Sequence, residues 1–326
     1  MSRSTILSLV LFVLMSAFLT FCGGGSQRHW VVVKGDDGFP RVDPPAQIVD
    51  PERRTVFATE YFWSEFLGQE LRWSEDTLTV NGVSLETLES KVALWATLLG
   101  SVPEESISKA SKNLINNLTR PGGGEAQPTV REQVLLLVEK YLYDPNSPIR
   151  NAAAFAIIAG DLAQCPAIDS LKREIYSEKA KICSLNKEGT KASDFSFVSP
   201  DGSVRNLYGV KAKYTLLVFS NPGCQMCEDI QKAIASSPKL QKLQSDGTIA
   251  IVNIYPDEDE ISWRKALKDY PREWICGIDQ AQALRGDHLY DLRAIPSLYL
   301  LGSNKLVILR DAPLWMVLDK INLMIL

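Results

Sequence analysis

Apolar residues follow different patterns in the two halves of the chain. Between residues 50 and 186 they recur at helical spacing, and one such stripe comprises Leu85, Leu88, Val92, Trp95 and Leu99. This spacing predicts amphipathic helices that bury one face. Beyond residue 187, short continuous apolar runs between turn residues predict buried strands. We therefore expect an all-α helical domain at residues 50–186 and an α/β domain at residues 187–326.

Capping signals predict where several helices of the first domain begin. Ser84 precedes the stripe named above. Thr129 and Glu132 form a capping box, which predicts a helix start at this point. Ser147 and Pro148 predict another start, because proline is tolerated in the first turn of a helix. No catalytic constellation stands out in this half, so we expect its apolar and aromatic side chains to form a core.

The chain begins with the pattern of a secretory signal peptide. Arg3 provides a short positive region, and residues 6–19 form an apolar core shorter than a membrane span. Cys22 follows, and this junction resembles a bacterial lipoprotein box, in which the cysteine is lipidated. We therefore expect a signal peptide at residues 1–22, a lipid anchor at Cys22 and a flexible tether rich in Gly, Asp and Pro at residues 23–49. The apolar residues 30–33 leave a short strand within this tether open.

One stretch carries the candidate chemistry: a buried strand, a turn and a Cys-x-x-Cys pair. Residues 214–219 are a continuous apolar run, and residues 220–223 break it with turn residues. Cys224 and Cys227 then open a helical pattern. Free backbone N–H groups and the helix dipole favour a thiolate at a helix start. The sequence therefore predicts that Cys224 attacks a substrate disulfide and that Cys227 resolves the mixed disulfide.

Two other interpretations of the Cys-x-x-Cys pair stay open at this point: half of a zinc site, and a structural disulfide. Structural zinc needs about four ligands, whereas the chain has only two histidines and no second Cys-x-x-Cys pair. The strand–turn–helix context favours redox chemistry over both. We therefore expect neither a metal nor a cofactor at the site.

The C-terminal domain resembles the thioredoxin superfamily, and most of all the TlpA-type thiol-disulfide oxidoreductases. Besides the cysteine stretch, residues 192–195 are similar to the segment that precedes the first strands in that group. Residues 290–300 resemble the loop whose proline is cis and faces the cysteines. The whole chain resembles Bacteroidetes-type lipoproteins with an N-terminal helical domain of unknown function. The resemblance implies an α/β thioredoxin-like C-terminal domain preceded by the all-α domain.

The same resemblance implies a substrate groove beside the cysteines. Its expected residues are Pro296, Ile295, Pro222 and Gly223. The bond between Ile295 and Pro296 is expected to be cis, with the proline ring in van der Waals contact with one of the two sulfurs. The backbone of Ile295 is expected to pair with an extended substrate strand.

The chain also departs from the family pattern. Gly223 stands where a tryptophan commonly precedes the first cysteine, and Val218 stands where thioredoxins place a buried carboxylate. The glutamate of some TlpA-type reductases would fall near Ile230. The group that accepts the proton of Cys227 therefore stays open. Peroxiredoxin chemistry is disfavoured, because those enzymes carry a threonine where this chain has Asn221.

Composition and the remaining cysteines limit the number of domains, the class of partner and the disulfides that we expect. With 326 residues, 45% of them hydrophobic, the chain has room for about two globular domains. A net charge of −4 and the lack of a basic stripe argue against nucleic acid as a partner. A continuous helix between Cys165 and Cys183 would hold them too far apart for a disulfide. Cys276 is predicted to be a small buried residue.

Together these observations predict an envelope-anchored thiol-disulfide oxidoreductase that faces the periplasm. Its partners would be thiols and disulfides of proteins or small molecules, and the membrane through the lipid at Cys22. The alternative is a redox-inert binding or scaffold lipoprotein that uses a thioredoxin fold for protein recognition. Whether the pair reduces, oxidises or isomerises depends on its thiol pKa values and on the partner.

Overall fold

The computed structural model describes residues 31–324, so the predicted signal peptide and Cys22 lie outside the described residues. The first domain is mainly helical. Its helices are α1 (Pro51–Tyr61), α2 (Ser64–Leu67), α3 (Leu85–Leu99), α4 (Glu104–Thr119), α5 (Gln127–Leu142), α6 (Ala152–Ala163) and α7 (Ser170–Ser184). Its short strands are β1 (Val31–Lys34), β2 (Pro40–Asp43), β3 (Trp73–Ser74), β4 (Thr79–Val80) and β5 (Val83–Ser84).

Of two helix starts predicted from capping residues, one is confirmed and the other lies two residues away. The Ser84 hydroxyl accepts a hydrogen bond from the Thr87 amide at 3.1 Å and caps α3, as predicted. Helix α5 begins earlier than predicted, at Gln127 and not at the capping box of Thr129. The earlier start is possible because Pro128 falls in the first turn, where a missing N–H costs no helical hydrogen bond.

The prediction that a helix begins at Ser147 is wrong. Helix α6 begins at Ala152, because Asn151 accepts a hydrogen bond from the Ala154 amide at 3.0 Å and caps the helix. The Ser147 hydroxyl donates to the Tyr141 carbonyl at 2.7 Å instead. Residues 143–151 therefore form a connector between α5 and α6.

Part of the predicted tether is ordered against the helical domain. Strands β1 and β2 pair as an antiparallel hairpin. Phe39 in this hairpin is 4% exposed and contacts the rings of Trp63 and Phe66. The prediction of a flexible tether at residues 23–49 is therefore wrong for the hairpin. A single buried aromatic residue among polar neighbours has no periodic pattern that would reveal it.

One hydrophobic core holds the helical domain together. Its large buried rings include Trp63, Trp95 and Phe155, each at most 2% exposed. The Trp95 indole N–H donates to the Thr59 carbonyl at 3.2 Å, so its polar group is satisfied within the core. Strands β3 to β5 form a small antiparallel sheet in this domain, which the all-α prediction did not include.

The second domain contains one mixed sheet with helices around it. Its strands are β6 (Ser196–Val198), β7 (Val204–Asn206), β8 (Tyr214–Phe219), β9 (Ile249–Tyr255), β10 (Ile275–Ile278), β11 (Ser297–Gly302) and β12 (Val307–Leu309). Its α-helices are α8 (Gln225–Ser236), α9 (Pro238–Ser245), α10 (Glu260–Ala266), α11 (Ala283–Gly286) and α12 (Leu314–Met324). Two 3₁₀ turns cover Leu207–Gly209 and Leu267–Asp269.

The sheet order is β12-β11-β8-β9-β10-β6-β7. Strands β8, β9 and β10 are parallel, and the outer pairs are antiparallel. Strand β8 lies inside the sheet, between β11 and β9, and is buried along its whole length, as its continuous apolar run predicts. This is the thioredoxin-like α/β fold expected from the sequence.

Strand β8 separates two hydrophobic cores. Leu216 and Val218 face the core under α8, α9 and α12, whereas Leu217 and Phe219 face the core beneath the β6–β7 hairpin. Alternate residues of a strand point to opposite faces, so one short run serves both cores. Across residues 31–324 we find no helix with the length and apolar character needed to cross a bilayer.

Candidate active site

The candidate site starts with the short turn that follows strand β8. We call this turn, residues 220–224, the cysteine loop. Gly223 has φ +75°, a conformation that glycine adopts without strain. Helix α8 then begins, with Cys224 as its N-cap residue. The Cys227 amide donates a hydrogen bond to the Cys224 sulfur at 3.3 Å. The sequence analysis placed Cys224 at this helix start, and the structure has it there.

The two cysteines differ in their access to solvent. Cys224 is partly exposed, whereas Cys227 is completely buried. Burial, and after it the hydrogen bond with Cys224, raise the pKa of the Cys227 thiol to about 12, while the hydrogen bond from the Asn221 backbone works in the opposite direction. Only the first thiol is therefore open to a substrate in this arrangement. The catalytic roles assigned to the pair stay predictions.

A buried polar cluster lies behind the cysteine loop, and the sequence analysis missed it. The Gln231 amide donates to the Ser220 hydroxyl at 2.8 Å, and that hydroxyl donates to the Asn253 side-chain oxygen at 2.7 Å. Gln231 follows Cys227 by four residues, so both lie on the same buried face of α8. A single polar Asn253 in the otherwise apolar strand β9 was the signal that could have revealed it.

The cluster has no ionisable carboxylate. Val218 stands where thioredoxins place a buried carboxylate. In the parallel register of β8 and β9 it lies next to Asn253, so the neighbouring polar group is an amide. Tyr270 also contributes a hydroxyl to the cluster, and burial raises the pKa of this phenol. The groups behind Cys227 are thus neutral hydrogen-bonding partners.

The second loop of the site is residues 291–297, which we call the proline loop. The Ile295–Pro296 peptide bond is cis, as predicted. Ser297, the first residue of β11, pairs with Phe219, the last residue of β8. The antiparallel register therefore brings the proline loop next to the cysteine loop. Ile295 and Pro296 are partly exposed, and their predicted place in a substrate groove stays a prediction.

A cleft of about 700 Å³ opens beside the cysteine loop. Pro222 and Gly223, two of the predicted groove residues, contribute to one end of it. Glu228, Gln231 and Lys232 of α8 and Tyr270 beyond α10 are among its other lining residues. The polar cluster behind Cys227 therefore reaches the surface through Gln231 and Tyr270.

The other described cysteines stand apart from this loop pair. Cys276 is buried in β10, as predicted, and burial raises the pKa of its thiol to about 12. Cys183 is buried at the end of α7, and burial raises the pKa of its thiol to about 11. Cys165 and Cys183 are unpaired, as predicted. Within residues 31–324, no group of three or more His, Cys, Asp or Glu side chains is arranged to hold a metal ion.

Comparison with known proteins gives one family match and one solved structure that is similar over most of the chain. Residues 23–186 match the family described as Domain of unknown function (DUF5106). A thioredoxin-like protein from Bacteroides caccae ATCC 43185 is 28% identical, with a TM-score of 0.78 over 88% of this chain and 98% of that one. No curated protein matches the chain. The chain is therefore similar to a solved protein over both of its domains.

Two further solved structures are similar to less than half of this chain. The C-terminal domain of an uncharacterized protein from Bacteroides fragilis NCTC 9343 is 39% identical over 42% of this chain and 98% of that one, with a TM-score of 0.41. The thioredoxin domain of a thiol-disulfide oxidoreductase from Bacteroides vulgatus is 19% identical over 41% of this chain and 96% of that one, with a TM-score of 0.37.

Proposed function

Because the chain belongs to the family described as Domain of unknown function (DUF5106), a description that assigns no chemistry, we propose its activity from the second domain. We propose a thiol-disulfide oxidoreductase that uses Cys224 and Cys227. The observation that carries the proposal is the pairing of a partly exposed thiol at a helix start with a buried thiol one turn further along. A nucleophile and a resolving thiol need this difference in access.

In the reductive direction the reaction runs in two exchanges. The Cys224 thiolate attacks one sulfur of a substrate disulfide, and a Cys224–substrate bond forms as the substrate S–S bond breaks. Cys227 then attacks the Cys224 sulfur and releases the second substrate thiol. The substrate gains two electrons and two protons, one proton from Cys227 and one from solvent, which received the proton of Cys224 when that thiol ionised, and the pair ends as a Cys224–Cys227 disulfide. A partner dithiol restores the reduced pair, and the reverse sequence oxidises a substrate.

The proton of Cys227 must leave during the second exchange. The buried partners Ser220, Gln231 and Asn253 are neutral and keep their own hydrogen bonds. The first exchange releases a substrate thiolate beside the pair, and this thiolate is a base that the reaction itself supplies. We assign the proton of Cys227 to it, so charge balances without a protein carboxylate.

Two single substitutions test the activity. Purified residues 23–326, reduced and then mixed with a peptide disulfide, should release peptide thiol, and Cys224→Ser should reduce this release to background. Cys227→Ser should instead accumulate a covalent Cys224–peptide adduct, which mass spectrometry detects, because the resolving thiol is gone. Cys165→Ser, which changes a partly buried thiol of the helical domain, is the control.

The same experiment decides between the proposed enzyme and a redox-inert protein. Reduced parent protein that releases no peptide thiol, together with a Cys227→Ser variant that forms no adduct, would contradict the oxidoreductase. The thioredoxin-like domain would then serve as a binding or scaffold module for another protein.

We also propose that the protein is anchored to the cell envelope through a lipid on Cys22 and faces the periplasm. Disulfide chemistry is possible in that compartment. The support is the signal-peptide pattern, which ends at Cys22. Cys22→Ser should move the protein from the membrane fraction to the soluble fraction. Continued membrane association of the variant would contradict a lipid anchor at this residue.

A further inference from the structure

The helical domain touches the proline loop at the α5–α6 connector (residues 143–151), and Cys183 at the end of α7 also lies beside Arg293. The first contact is between Tyr143 and Arg293. The Arg293 guanidinium lies 3.8 Å from the centre of the Tyr143 ring, and its Nη1 donates to the Tyr143 carbonyl at 3.0 Å. The other guanidinium nitrogens donate to both carboxylate oxygens of Asp291 at 2.8 and 2.7 Å. One side of the connector thus fixes the start of the proline loop.

The second contact reaches the other end of the proline loop. Arg150 Nη2 donates to the Asp311 carbonyl at 2.7 Å and lies 2.9 Å from its carboxylate oxygen Oδ2. The second carboxylate oxygen of Asp311 accepts a hydrogen bond from the Ser297 hydroxyl at 2.8 Å. Arg150 is itself held by the Pro145 carbonyl, which accepts from Nη1 at 3.0 Å. The connector therefore acts on Ser297 through Asp311.

The stretch between these two fixed ends is the predicted substrate-pairing backbone. Ala294, Ile295 and Pro296 are partly exposed, whereas Asp291 and Ser297 are 7% and 1% exposed. A peptide that adds a strand depends on the position of the backbone that it pairs with. A small disulfide that needs only the Cys224 thiolate does not. The helical domain consequently has the means to set peptide binding without touching the cysteines.

We infer that the helical domain positions the proline loop for peptide disulfides, with Tyr143 and Arg150 as its positioning residues. The inference rests on the proposed function and assigns a role within it to the helical domain. The two residues act through Arg293 and Asp311, and neither contacts the reacting sulfurs in this arrangement. The substrate class is a disulfide carried by an extended polypeptide.

Two disulfides tested side by side separate positioning from chemistry. One is a linear peptide with a mixed disulfide, and the other is 2-hydroxyethyl disulfide, which has no peptide backbone. Arg150→Met and Tyr143→Leu should each lower kcat/KM for the peptide about tenfold, mainly through a higher KM, because the pairing backbone is displaced. Both variants should reduce 2-hydroxyethyl disulfide at the parent rate. Arg150→Lys should recover part of the loss, because it keeps one charged contact to Asp311.

A second contact between the same domains provides the matched control. Lys187 Nζ lies 2.6 Å from a Glu104 carboxylate oxygen and does not touch the proline loop. Lys187→Met should leave both rates at the parent level. The inference is overturned if kcat/KM of Arg150→Met and Tyr143→Leu falls equally for both disulfides, or if it does not fall for the peptide in either variant. It is also overturned if kcat/KM of Lys187→Met for the peptide falls as much as in those two variants. Parent protein that reduces neither disulfide would instead remove the proposed function, and the inference with it.

Discussion

The cysteine loop and the proline loop meet at the paired residues Phe219 and Ser297, yet they are held by different parts of the chain. The cysteine loop is fixed within the second domain, by the contact of the Cys227 amide with the Cys224 sulfur and by the bond from the Ser220 hydroxyl to Asn253. The proline loop is fixed from a distance. Its Arg293 bonds to a carbonyl 150 residues earlier in the chain.

This difference separates two properties of the site. The proposed thiol chemistry depends on a strand, a turn and a helix start that all lie within the second domain. The position of the proline loop depends on the helical domain as well. Changes in the helical domain should therefore alter the proline loop first and leave the cysteine loop intact.

Loss of Arg293 is the most severe way to break the proline loop. Arg293→Ala leaves the Asp291 carboxylate, whose side chain is 6% exposed, with Arg310 at 4.0 Å and the backbone amide of residue 293 at 3.4 Å as its partners. Arg293 is itself partly exposed, but the Asp291 carboxylate is buried and loses its charged partner, so the free energy of unfolding should fall by about 3 kcal/mol. Urea denaturation of reduced protein measures this change.

An exposed ion pair provides the comparison for Arg293→Ala. Arg264 lies 2.6 Å from Glu260 on the surface of α10, with both side chains more than a third exposed. Arg264→Ala should cost no more than about 1 kcal/mol. Equal losses for the two variants would show that Arg293 does not hold a buried charge.

The cysteine loop should respond to the polar cluster behind it. Gln231→Leu removes the amide that donates to Ser220, in a residue that is 7% exposed. The free energy of unfolding should fall by about 1–3 kcal/mol, because a buried hydroxyl loses a partner. Gln225→Leu removes an exposed bond to Asp229 on the same helix and should be nearly neutral. A neutral Gln231→Leu would mean that the cluster does not support the loop.

The sequence was informative wherever the structure is local. The continuous apolar run of β8, the turn residues after it and Cys224 at a helix start follow from neighbours along the chain, and all were predicted. The cis bond at Pro296 came from the family resemblance. The start of α3 at Ser84 was also predicted, because its cap bonds three residues ahead.

Features that depend on distant residues were not predicted. Phe39 has no periodic partners near it, so its place in the helical core was missed. Ser220, Gln231 and Asn253 come from three separate elements, and only the folded sheet brings them together. The contact of Arg150 with Asp311 likewise has no local signal, since 161 residues separate the two.

Each loop also lies near a buried thiol, so the stability of the protein should depend on pH in the alkaline range. The pKa of Cys227, beside the cysteine loop, is about 12, and that of Cys183, near Arg293 and Asp291, is about 11, against an ordinary value of 9.0. In both cases the folded state keeps a proton that the unfolded state releases above pH 9. Stability is therefore complete below about pH 9 and falls as the pH rises toward the folded pKa.

The expected slope is about 1.4 kcal/mol per pH unit for each thiol. Urea denaturation of reduced protein at several pH values above pH 9 measures it. Cys227→Ala should remove its share of the slope up to about pH 12, and Cys183→Ala its share up to about pH 11. An unchanged slope in these two variants would contradict the raised pKa values.

The smallest expected effect tests whether backbone conformation alone shapes the cysteine loop. Gly223 and Gly160 both have open space where a Cβ would be added, but only Gly223 has a positive φ, +75°. Gly223→Ala should lower the free energy of unfolding by about 1 kcal/mol, since an L-residue is strained in that region. Gly160→Ala, inside α6, should raise it by about 0.5–1 kcal/mol, because alanine favours a helix. If the free energy of unfolding falls in Gly223→Ala and rises in Gly160→Ala, the cost at Gly223 comes from its φ. If it falls in both variants, the added methyl group meets a neighbour in each place.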